Sequence, residues 1–73
     1  MPYEIQVAII KKEVGLEKAK KIAEEILKKD NAFMRETEDS YRFRNLPKTK
    51  FKSDTFRTKK INDKVSLVFA ERK

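Results

Sequence analysis

The sequence predicts an α+β fold: one amphipathic helix packed on a four- to five-stranded, mainly antiparallel sheet, in the order β-α-β-β-β-β. Three observations carry that expectation. Residues 3–10 alternate with a period of two, residues 16–27 change to a spacing of three and four, and the rest returns to short alternating runs divided by turns. A single helix covers only one face of such a sheet, so the other face is expected to be open.

The first strand, Tyr3 to Ile10, sets Tyr3, Ile5, Val7 and Ile9 against Glu4, Gln6, Ala8 and Ile10. The first set is the expected core face, and the apolar end of the second set points to a central strand. Lys11 to Val14 connect it to the helix, whose apolar stripe is Leu16, Ala19, Ile22, Ala23, Ile26 and Leu27. Glu17 with Lys21 and Glu24 with Lys28 add i,i+4 pairs of the favourable polarity. Lys28 and Lys29 complement the helix dipole, and Asp30-Asn31 is the expected stop.

Ala32 to Thr37 predicts a second strand, and Glu38-Asp39-Ser40 has turn composition. Tyr41 to Leu46 alternates again, with Tyr41 and Phe43 inward and Arg42 and Arg44 outward, until Pro47 ends the ladder. Lys48 to Asp54 is a basic loop. Thr55 to Ile61 and Lys64 to Glu71 flank Asn62-Asp63, a dipeptide suited to a hairpin turn. The expected core adds Phe56, Val65, Leu67 and Phe69 to Tyr41, Phe43, the helix stripe and Ile5, Val7 and Ile9.

A chain of 73 residues predicts one domain, residues 1–73. It has no Cys and no His, which leaves no disulfide and neither thiolate nor imidazole for a zinc or copper site. No cofactor is implied. The start of the chain lacks the basic-then-apolar pattern of a signal peptide, and Val7 to Ile10 is too short an apolar run to span a bilayer. The expectation is a cytoplasmic protein with no membrane partner, or one carried in a virion assembled in a host cytoplasm.

Charge is unevenly placed. Residues 1–40 carry a net −1 and residues 41–73 a net +8, so the whole +7 excess comes from the second part. That asymmetry calls for an anionic partner. Alternation puts Arg42 and Arg44 on the open face, and Arg57 and Lys59 join them if the strands pair in register. Arginine forks suit phosphates and carboxylates, and clustered cations bind nucleic acid through counterion release. The competing reading is that an uncovered face needs charge for solubility and edge protection. In the loop, Lys48, Lys50 and Lys52 surround Phe51, which either stacks on a base or, as loop phenylalanines more often do, folds back as a lid on the core.

The acidic group Glu36, Glu38 and Asp39 lacks the spacing and glycine of a calcium loop and reads as a solvated turn. Ser40, Ser53 and Ser66 have no His to activate them, and no phosphate-cradling glycine run exists. No catalytic residues are assigned.

The run Glu36 to Arg44, then Pro47, Phe51, Phe56-Arg57-Thr58 and Asn62 to Val68, resembles a small uncharacterised domain of phage and prophage genomes. In that family an Glu-Ile-Gln strand and an amphipathic helix precede the run, as Glu4-Ile5-Gln6 and Leu16 to Leu27 do here. Ala70 stands where the family has a glycine. The resemblance implies a phage or mobile-element context and brings no catalytic residues. The expected function is a non-catalytic basic module that binds nucleic acid or another anionic partner through the open sheet face. One alternative is a phage structural or assembly protein that meets an acidic protein surface or copies of itself. The other is a His-free, toxin-like ribonuclease built on Tyr41, Arg42 and Arg44.

Overall fold

A computed structural model describes residues 3–28 and 33–73. Lys29, Asp30-Asn31 and Ala32, where the sequence places the helix stop and the next strand's start, lie outside the described residues. The strands are β1 (Tyr3–Lys11), β2 (Phe33–Glu36), β3 (Ser40–Arg44), β4 (Arg57–Lys60) and β5 (Val65–Glu71), and the helix α1 is Leu16–Leu27. They form a single antiparallel sheet in the order β2-β3-β1-β5-β4, with α1 packed on one face over β1 and β3. The α+β expectation is met, with five strands. No helix among the described residues is long and apolar enough to cross a membrane.

The connection into the helix is a short 3-10 turn, Lys12–Val14, which ends at Gly15 with φ of 94°. That left-sided conformation suits glycine and explains where the chain spends its only one. The helix leaves through Lys28 in the αL region, with φ of 52°. Lys12 reaches across to Glu36 at 2.7 Å, tying this turn to β2. The hydrogen bond to the Glu36 carboxylate holds the Lys12 ammonium above the ordinary lysine range.

The helix-side core is Ala8, Ile10, Ala19, Ala23, Leu27, Phe43, Val65 and Leu67, with Ile5, Val14, Ile22, Ile26, Tyr41 and Phe69 packed around it. Two expectations about β1 are corrected here. The strand was read as one uninterrupted alternation with Val7 and Ile9 under the helix. Its register against β5 instead shifts between Ile5 and Val7, which leaves Gln6 as an extra, bulged residue. The bulge exchanges the faces. Ile5 pairs with Phe69 on the helix side, but beyond the bulge it is Ala8, opposite Phe43 and Leu67, and Ile10, opposite Tyr41 and Val65, that face α1. Val7 and Ile9 turn to the far side with Arg44, Arg42, Val68 and Ser66. Leu16, expected in the core, stands 37% exposed at the first turn of the helix.

Val7, Phe51 and Ala70 are buried outside the helix-side cluster. They belong with the crossover 45–56, which must pass both β1 and β5 to join β3 to β4. Its start is pinned at the bulge, where the Asn45 backbone N–H donates to the Gln6 carbonyl at 2.8 Å and the Asn45 side-chain amide to the Ile5 carbonyl at 3.1 Å. Its middle is pinned to the end of the chain. Lys52 N–H donates to the Glu71 carbonyl at 2.9 Å, Lys73 N–H to the Lys50 carbonyl at 3.1 Å, and Glu71 N–H to the Thr55 hydroxyl at 3.0 Å.

Candidate functional site

On the face opposite α1, strand pairing builds short rows across the sheet. One row runs Arg35, Arg42, Ile9, Ser66, Lys60, and the next contains Arg44, Val7, Val68 and Thr58. Arginines therefore crowd the β2–β3 side, and aliphatic side chains hold the middle. The crossover then brings Lys48 and Phe56 onto the same face. Together they enclose a pocket of about 460 Å³ with Arg35, Arg42, Arg44 and Lys48 in its walls and Val7, Val68 and Phe56 as apolar lining. Among the described residues the remaining lining residue is Gln6, the bulged one, and none of those lining the pocket is acidic.

The four cations differ in their surroundings. Among the described residues, Arg35, Arg42 and Lys48 form no ion pair or side-chain hydrogen bond, whereas Arg44 is engaged. Arg35 and Arg42 are direct cross-strand partners. Like charges placed directly opposite repel, so this pair favours an anion between them.

Gln6 is 1% exposed. Its Nε2 donates to the Leu46 carbonyl at 3.2 Å, which fixes the amide orientation because a carbonyl accepts only from the NH2 side. No fully enclosed side-chain nitrogen or oxygen among the described residues lacks a partner. The Gln6 Oε1 accepts no hydrogen bond among those residues, and Gln6 is one of the residues that line the pocket.

The sequence placed Arg42, Arg44 and Lys48 in the site, and the structure brings these three together. Arg57 and Lys59 do not join them. They pair with Phe69 and Leu67 and so alternate onto the helix side of the sheet, in the edge strand beyond β5. There they border a separate shallow depression of about 350 Å³ with Tyr3 and Phe69. The Arg57 guanidinium folds back onto the Phe56 carbonyl at 2.8 Å. The separation of Arg57 and Lys59 from Phe56, Thr58 and Lys60 was legible in the alternation. Its sense was inverted, because Phe56 was assigned to the only hydrophobic layer the sequence showed, under the helix.

Phe51, offered as a stacking platform or a lid, is 1% exposed. Its ring lies 6.2 Å from that of Phe56 at 60°, and it presents no face to a ligand. Lys50 points to solvent and Lys52 pairs with Glu71 at 3.9 Å, so neither lines the pocket. The residues that sequence reasoning missed are Arg35, Gln6 and Phe56. Arg35 carried a signal, since a strand pairing antiparallel to Tyr41–Arg44 across a short turn sets Arg35 opposite Arg42. Gln6 carried none, because a bulge leaves the local alternation intact.

Compared with known proteins, the chain matches no family model, no curated protein and no solved structure. The resemblance to a phage-associated domain rests on the residues that suggested it.

Proposed function

We propose that this domain is a non-catalytic binding module that takes an anionic partner, nucleic acid foremost, in the pocket on the sheet face opposite the helix. One observation carries the reading: Arg35, Arg42, Arg44 and Lys48, drawn from two strands and the crossover, line one pocket, with no carboxylate beside them among the described residues. A face that needed charge only for solubility would scatter its cations or pair them with acids, as Lys60 is paired with Asp63 at 3.6 Å. Here the cations converge around an apolar floor, which suits ligand binding better than solvation.

The test is a salt titration of binding to mixed-sequence single-stranded DNA and RNA. With about three phosphates neutralised on a single strand, Arg35 and Arg42 sharing one, log K should fall against log salt with a slope of roughly −2. Arg35→Gln with Arg42→Gln, which share one phosphate, should reduce the slope by about 0.7 and leave folding intact. A slope near zero in the wild-type protein rejects nucleic acid and leaves an acidic protein surface as the partner, and an unchanged slope in the double variant rejects the pocket as the site.

A further inference from the structure

We infer that the pocket holds a single nucleotide, with its phosphate on the arginine wall and its base against Phe56, and that it takes this nucleotide from a single strand. The inference rests on the proposed anion-binding reading and adds what fills the rest of the cavity.

A phosphate alone leaves two features of the pocket unused. The first is the apolar lining of Val7, Val68 and Phe56, which a hydrated oxyanion gains nothing by touching. The second is Gln6. With Nε2 bound to the Leu46 carbonyl, its Oε1 is left to accept, and an acceptor oxygen repels an oxyanion and suits a donor. The ligand must therefore combine an anionic end, a flat apolar body and an N–H group. A nucleotide has all three: a phosphate for Arg35 and Arg42, a π-face for Phe56, and ring or exocyclic N–H groups for Gln6.

The bulge is the device that makes this arrangement. A regular β1 would give Gln6 an ordinary place in the ladder, whereas the extra residue buries its amide beside the crossover and next to Val7. The pocket's size fits one such unit. A base stacked and paired within a duplex cannot enter without leaving the helix, so an unpaired strand is the natural source. A free nucleotide shares the same chemistry, and the experiment separates the two.

The probes are adenosine 5′-monophosphate, inorganic phosphate, a single-stranded DNA oligonucleotide and its duplex, each titrated into the isotopically labelled protein and followed by NMR. The nucleotide should bind at least tenfold more tightly than inorganic phosphate and displace the oligonucleotide. It should shift the Gln6 side-chain amide and the Val7 and Val68 methyl signals. The single strand should bind more tightly than either the free nucleotide or the duplex. Phe56→Leu should weaken the nucleotide roughly tenfold while leaving inorganic phosphate unchanged. Equal affinity for nucleotide and phosphate, or an oligonucleotide that binds through Arg42 but is not displaced by the nucleotide, overturns this inference and leaves the anion-binding reading standing. Tighter binding of the duplex also overturns it, and tighter binding of the free nucleotide overturns the strand as its source. Binding of none of the four probes removes both readings.

Discussion

Arg35 and Arg42 face each other across β2 and β3, and their mutual repulsion is a standing cost to the unliganded fold. Opposed like charges on a sheet destabilise by about 0.2–1 kcal/mol. Arg35→Thr should therefore stabilise the free protein by that amount in urea unfolding at low ionic strength, with the gain fading in high salt, while anion binding weakens. A variant that loses stability at low salt would show that the pair is not repulsive. Phe51 makes the opposite case, a residue in a basic loop whose work is packing. With 1% exposure, its truncation to Ala should cost about 3–5 kcal/mol, a large share of the roughly 5–15 kcal/mol that holds a small domain. Were Phe51 a ligand platform instead, the same change would lower affinity and barely move the melting temperature. The sequence offered both roles for Phe51, and only the closure of the crossover on the chain's end decides between them.

Among the elements, the helix and the five strands were legible because each follows a simple period, 3.6 or 2. What periodicity missed is where a strand changes face. Gln6 sits inside an unbroken alternation, yet the bulge there moves Val7 and Ile9 away from the helix and Ala8 and Ile10 toward it. β4 was placed correctly in order and assigned to the wrong side, since Phe56, the large apolar residue that precedes it, serves a second hydrophobic layer built by the crossover. The helix ends give two predictions that turn on backbone conformation. Gly15→Ala places a Cβ at φ of 94°, and although no atom lies within 4 Å to clash with it, the strained conformation should cost about 1 kcal/mol or more. Lys28→Gly removes the same strain at φ of 52° and should raise stability by about 0.5–1 kcal/mol in urea unfolding. Equal destabilisation by both changes would contradict the cap geometry. The Lys12–Glu36 pair adds a pH signature. Because the Lys12 pKa is raised in the fold, its contribution is complete below the unfolded value of 10.5 and is lost as pH rises through the higher folded value. Lys12→Met should accordingly flatten the alkaline limb of the stability profile, a limb left unaltered only if the pair does not form in solution.

At the scale of the whole molecule, the chain's +7 charge and its concentration after residue 40 were plain from the sequence. The open face for Arg42 and Arg44 was legible too; which other cations join them was not, because that depends on the pairing of β4 with β5 and on a crossover that carries Lys48 to the pocket and leaves Lys50 and Lys52 outside. One sheet thus separates two cationic groups: Arg35, Arg42, Arg44 and Lys48 on the open face, and Arg57 and Lys59 on the helix side. If the first group is the binding site, binding follows the arrangement of its cations and not net charge. Two variants with the same total charge test it most directly, Arg35→Gln/Arg42→Gln and Arg57→Gln/Lys59→Gln, compared in one salt titration against single-stranded DNA after thermal melting shows both folded. The open-face pair should lower both affinity and salt slope, by about 0.7 in the slope, while the helix-side pair should leave the slope at its wild-type value. Equal losses in the two variants would mean that binding follows net charge alone, and would contradict the pocket as the site.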